Sequence, residues 1–248
     1  MLPRLAAFAA PPTPAQAQRQ LDTYSSWLNA PWTDNDQPYQ RIRLSIDQAI
    51  SHGANPFNLL KQRQKELEKA PGNFQTQFAY YYTAYQAVTW PKRADDKGFD
   101  VLLLGNLFIA IIRTPHPHTY NYVRLAFLCG EYNFNDPNRK SVGLRLVQRD
   151  PNDYDVKYYT TNILVASPLP SDRAIAMKYA NDLVTNYPNI ASPHAMAGYI
   201  HYQSWLRSRN KRDSAEAISQ YQQYLLLAPA KAGFRRQAEN FIKQMQEG

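Results

Sequence analysis

A chain of 248 residues is long enough for one large domain or two small ones built around a sizeable core. With 44% hydrophobic and 19% charged residues it has the composition of a folded globular protein, which excludes wholesale disorder. The net charge of +8 permits an anionic partner without requiring one, and the single cysteine, Cys129, excludes an intrachain disulfide.

The chain opens on an ambiguous leader. Arg4 precedes the short apolar stretch 5–10, and Ala15-Gln16-Ala17 has the small-x-small pattern of a signal-peptidase site, although Pro11, Pro12 and Pro14 crowd it. A secretory leader over 1–17 would make the protein periplasmic or secreted; a Pro/Ala-rich leader on a cytoplasmic protein is the alternative. A short helix is expected over 18–28 and a loop over 29–38, where Pro31, Asn35 and Pro38 break regular structure. Helices follow over 39–51, ended by His52-Gly53, and over 57–69, opened by Asn55-Pro56 and closed by Pro71-Gly72. Further helices are expected over 74–89, 99–112, 119–129, 140–148, 154–166, 171–185, 194–207, 214–227 and 232–246. Ser171 or Asp172 is the expected cap of the helix beginning there. The longest apolar run, 101–112, is broken by Gly105 and Asn106 and is shorter than the roughly 20 residues of a membrane span, so it reads as a core helix. No period-two strand pattern occurs.

Prolines recur after every second helix of this series, at Pro71, Pro115, Pro151, Pro188 and Pro229, with separations of 44, 36, 37 and 41 residues. A helix pair repeating at such a period is the signature of an α-solenoid. In the last full unit Ala217, Tyr221, Tyr224 and Pro229 keep the second-helix spacing of a known pattern, Ala197-Gly198 stands in its first helix, and His201 takes the following aromatic position. The preceding unit keeps Ala176, Ala180, Leu183 and Pro188. Small residues let two helix backbones approach while a large one fills the gap beside them.

On these residues the chain resembles the tetratricopeptide repeat family, whose period is about 34 residues. The resemblance covers residues 72–248 and is divergent: no unit keeps the Trp, and some seven extra residues stand at 207–213 of the last unit. It implies an all-α solenoid of antiparallel helix pairs, with 232–246 as a C-terminal capping helix. Residues 18–71 would be N-terminal helices forming a degenerate repeat or cap. A non-repeating helical bundle with chance proline spacing is the competing reading.

In that family the first helices of successive units line a concave groove. Here the corresponding places lie about 7, 11 and 14 residues after each proline. They hold Phe78, Tyr82 and Tyr85; Tyr122, Ala126 and Cys129; Tyr158, Asn162 and Val165; and Ala195, Tyr199 and Tyr202. The expected ligand groove is therefore Tyr82, Tyr85, Tyr122, Tyr158, Asn162, Tyr199 and Tyr202. Tyrosine offers rigid area and a hydroxyl at low entropic cost, which suits peptide recognition; each ring could equally be helix-to-helix packing. The cations with which some members of the family clamp a carboxylate are missing from these places, so that activity is not implied.

Signals for catalysis are sparse. His116 and His118 form an H-x-H pair in a Pro-rich turn, a weak signal for a metal-dependent or other enzyme site against the plainer reading of an exposed inter-repeat turn. His194 and His201 lack an acidic residue between them at zinc-protease spacing, and no phosphate-cradling or nucleophile-elbow motif occurs. Asp150, Asp153 and Asp155 read as caps and solvated loop. No cofactor is expected. The sequence reading is a non-catalytic scaffold binding a protein or peptide. The alternative is a helical module binding nucleic acid or another polyanion through its charge, with Arg207, Arg209, Lys211 and Arg212 as its densest basic run.

Overall fold

The computed structural model describes residues 30–33, 35–89, 101–113, 117–130 and 139–247. The expected leader, the short helix over 18–28, the connector 91–98 and His116 lie outside them. Among the described residues there are eleven helices and no strand. They are α1 (Gln37–Ser51), α2 (Pro56–Lys69), α3 (Phe74–Thr89), α4 (Val101–Arg113), α5 (Tyr120–Gly130), α6 (Arg139–Arg149), α7 (Tyr154–Val165), α8 (Pro170–Asn186), α9 (Ala191–Ser208), α10 (Lys211–Leu227) and α11 (Arg235–Glu247). None is long and apolar enough to cross a membrane. The chain divides into two compact units, 1–142 and 143–248, with the division inside α6.

Local chemistry sets the helix ends. Asn55 caps α2 by accepting from the Phe57 amide at 2.9 Å, and Asp153 caps α7 through the Val156 amide at 3.2 Å. Pro56 and Pro170 are first residues of their helices, where a missing N–H costs nothing. Gly53, at φ +94°, ends α1 in the left-handed region that a Cβ disfavours. The expected caps of α8 are corrected. Leu169 is its N-cap, and the buried Asp172 carboxylate accepts from the Ser167 hydroxyl in the preceding turn. The insertion expected at 207–213 is also absent as a loop. The extra residues lengthen α9 and α10, and only Arg209 and Asn210 join them. Arg209 turns the chain at φ 53°, and Asn210 caps α10 by accepting from the Arg212 amide at 2.9 Å.

In the first unit α2 packs on α3, α3 on α4, and α4 on α5, while α1 lies across both α3 and α5. Its core is aromatic. Tyr39 of α1 meets Phe78 of α3 and Tyr122 of α5 edge-on, with centroids at 5.4 and 5.2 Å. The Asp36 carboxylate, just before α1, takes the backbone amide and side-chain amide of Asn121, 85 residues away, at 3.0 and 2.7 Å. Stacking strictly between sequence neighbours, as a solenoid requires, therefore does not describe this unit.

In the second unit each of α7 to α11 packs on the next, and α7 also touches α9. Two core clusters result. Leu164, Ala176, Ala180, Leu183, Met196, Ala197 and Ile200 form one between α7, α8 and α9. Tyr202, Trp205, Ala217, Tyr221, Tyr224, Ala238 and Met245 form the other between α9, α10 and α11. Helix α9 serves both: Met196, Ala197 and Ile200 lie in the first, while Tyr202 and Trp205 lie in the second and Ala191 and Ala195 pack against it. The tightest approach is between α9 and α10: a Cβ built on Gly198 would meet the Tyr221 ring at 2.8 Å. Tyr221 is fully buried, so the ring has nowhere to swing.

Gly198→Ala sets a helix-propensity gain of about 1 kcal/mol against overpacking of about 1–3 kcal/mol. We expect overpacking to win, with a lower denaturant midpoint for the second unit and a net loss of up to about 2 kcal/mol in its unfolding free energy. Gly233→Ala, where nothing lies within 4 Å of the added carbon, should stay within about 0.5 kcal/mol of the parent. Equal midpoints for the two variants would contradict the close approach.

Candidate functional site

The seven residues expected to line a groove have separate fates. Tyr82, Tyr85 and Tyr122 are core: each is 4% exposed or less. The reason is α1. It packs against α3 and α5, on faces that the repeat frame left open. The Tyr82 hydroxyl donates to the Asp47 carboxylate of α1 at 2.7 Å, the Gln86 amide donates to the same oxygen at 2.9 Å, and the Tyr122 hydroxyl donates to the Phe74 carbonyl at 2.7 Å. Ala126 and Cys129 are fully buried beside them, and burial raises the Cys129 thiol far above its ordinary pKa. Tyr202 is core in the second unit. The capping helix covers it, with Phe241 stacked on its ring at 4.3 Å and Gln244 accepting from its hydroxyl at 2.7 Å.

The remaining three converge. Tyr158, Asn162 and Tyr199 line one cleft of about 760 Å³, together with Val165 and Ala195 from the same repeat positions. The spacing explains why. Tyr158, Asn162 and Val165 recur at helical intervals on one face of α7, and Ala195 and Tyr199 do so on the parallel-running face of α9. Sequence reasoning missed the far wall: Met196, Tyr224, Ala228, Phe234 and Gln237. Tyr224 closes the end of α10, and Phe234 enters from the turn before α11; neither position belongs to a first helix, so the repeat frame carried no signal for them.

The wall is held in place by ring contacts. Tyr154 stacks on Tyr158 at 5.8 Å and meets Tyr187 edge-on at 4.9 Å, while the Tyr187 hydroxyl donates to the Asn152 carbonyl at 2.9 Å. Tyr224 meets Phe234 edge-on at 5.4 Å. Burial holds the Tyr158 phenol above its ordinary pKa, against a hydrogen bond with Asn162 that favours ionisation. The lining contains no charged residue. It offers aromatic and small apolar surface, two amides and several hydroxyls.

A second cavity of about 270 Å³ shares Val165 and Tyr199 with the first. Its other walls come from α8 and the later turns of α9, including Arg173, Met177, Gln203 and Arg207, and it too has no acidic lining residue. Arg207 is exposed, while the Arg173 guanidinium donates to the Pro168 carbonyl at 2.8 Å. In the first unit, a depression of about 330 Å³ among α1, α2 and α3 is crossed by the Arg63–Glu66 ion pair at 2.7 Å.

The histidines are engaged locally. The two ring nitrogens of His194 contact Gln220 Oε1 at 2.8 Å and the Pro188 carbonyl at 2.9 Å; His201 Nδ1 lies 3.5 Å from Asp213; His118 Nδ1 lies 3.0 Å from the Pro31 carbonyl. Among the described residues no three of His, Cys, Asp and Glu gather where they could hold a metal ion.

Burial raises the phenol pKa of Tyr82, Tyr122, Tyr154 and Tyr221 well above 10, so these residues stabilise the fold only in their neutral form. A raised native pKa contributes stability that is complete below the unfolded value of about 10 and lost as pH climbs through the native one. The melting temperature should therefore fall as pH rises beyond about 10. Phenolate absorbance should show a class of the 18 tyrosines that ionises only on unfolding; reversible titration of all of them in the folded chain would contradict the burial described here. Comparison of the chain with family models, with curated proteins and with solved structures finds no match.

Proposed function

We propose that this chain is a tetratricopeptide-like helical-repeat protein. In this reading it binds an extended peptide segment of a partner protein in the cleft of α7, α9 and α10, without catalysis. One observation carries the reading. Positions at matching distances after Pro151 and Pro188 converge on one cleft of about 760 Å³ in which the sequentially stacked helices leave aromatic rings, hydroxyls and amides open. Apolar walls with a few placed polar groups suit side-chain pockets, while Asn162 and Gln237 suit the N–H and C=O groups of a backbone. The absence of cations from this lining favours a peptide over a polyanion, whose binding rests on contacts to phosphate. The Ala15-Gln16-Ala17 pattern supports a place outside the cytoplasm.

Selection of displayed random peptides on the purified full chain, followed by calorimetry, tests the proposal. Tyr199→Ala and Asn162→Ala should each weaken a selected peptide by about tenfold or more, the range of a central interface residue. Tyr82→Phe, in the core of the first unit, should leave the affinity as it was. Binders indifferent to both cleft substitutions, or no binders, would refute it.

A further inference from the structure

Resting on that reading of the cleft, we infer that the bound peptide is acidic. An Asp or Glu side chain engages Arg173 and Arg207 in the smaller cavity, next to an aromatic or large aliphatic side chain seated in the larger one. The two cavities share Val165 and Tyr199 as their common wall, so one ligand that occupies both lies over these two side chains. An extended chain rising about 3.3 Å per residue crosses such a wall within about two residues. The larger cavity has no charged lining residue, and the smaller has two guanidiniums and no carboxylate. The charge of the ligand is therefore set at one end only.

Three nearby cations are otherwise occupied. The Arg209 guanidinium lies 4.6 Å from the Trp205 ring, Arg235 donates to the Leu225 and Ala228 carbonyls at 2.7 and 2.9 Å, and Lys157 pairs with Asp182 at 3.5 Å. The acid nearest to Arg207 in sequence, Asp213, is held by His201 and by the Ser208 hydroxyl, and the one beside Arg173, Asp172, is buried and accepts from the Ser167 hydroxyl. Arg207 stands exposed at the mouth of the smaller cavity without an acidic partner among the described residues. A guanidinium takes a carboxylate through two parallel N–H donors, which gives direction as well as attraction. Electrostatic complementarity of this kind selects among ligands that fill the apolar pocket equally well.

The test uses the full chain and short fluorescent peptides carrying Phe with Glu two residues away, against the same peptides with Gln or Lys in place of Glu. At low salt the Glu peptides should bind about tenfold tighter than the Gln peptides, and the margin should shrink as salt rises. Arg207→Glu should erase the margin and move the preference to the Lys peptides. Because this position is exposed, the variant should keep the parent's circular dichroism. Arg173→Gln, which also gives up the bond to Pro168, should reduce the margin in the same direction. Equal binding of Glu and Gln peptides, both weakened by Asn162→Ala, would overturn the acidic ligand and leave the cleft reading intact. Loss of binding by no cleft substitution would overturn both. Displacement of the Glu peptides by polyuridylate, with no effect of replacing their Phe by Ser, would show a general anion surface and overturn the inference as well.

Discussion

The second unit depends on how closely α9 can approach α10. Gly198 sets that distance because the Tyr221 ring lies where its side chain would be, and Ala197 and Ala217 keep the flanking turns thin. Once these helices are in contact, α9 has one set of side chains in the core with α7 and α8 and another, interleaved along the helix, in the core with α10 and α11. The cleft is what remains between α7 and the end of α10 when α9 is drawn inward. A protein with a larger residue at 198 would have to separate the pair, and the wall carrying Tyr199 would move with it.

Tyrosine has two uses in this chain, and the difference lies in what covers it. In the first unit the rings of Tyr39, Tyr82 and Tyr122 form a buried aromatic core, in which the Tyr82 hydroxyl finds a carboxylate and the Tyr122 hydroxyl a carbonyl. In the second unit Tyr158 and Tyr199 are only partly buried, although Phe241 of α11 lies 6.5 Å from the Tyr199 ring. The residue type suits both settings, since its ring gains from burial and its hydroxyl tolerates water. An excess of tyrosine is therefore compatible with an open binding face and with a closed core.

The positive charge is distributed so that it leaves the main cleft neutral. Arg235 donates to carbonyls at a helix end, Lys157 pairs with a carboxylate and Arg209 lies on a ring, while Arg173 and Arg207 line the smaller cavity of the second unit. Such an arrangement turns overall basicity into selectivity at one place, which supports the proposed acidic peptide better than a broad surface for polyanions.

The positions of the helices were legible from the sequence, because proline and glycine punctuation and apolar periodicity are local properties. Asn55-Pro56 and Asp153 open helices, and Gly53 ends one, for reasons contained within a few residues. The convergence of 158, 162, 195 and 199 was legible too, since regular helix pairs place equal offsets on one side. What the sequence could not specify was which of the equivalent positions would stay open. That depends on α1 crossing α3 and α5, on Asp36 reaching Asn121 across 85 residues, and on Phe241 and Gln244 covering Tyr202. Contacts so distant in the chain leave no periodic trace, and only the tertiary structure decides them, because burial depends on what else arrives at a face.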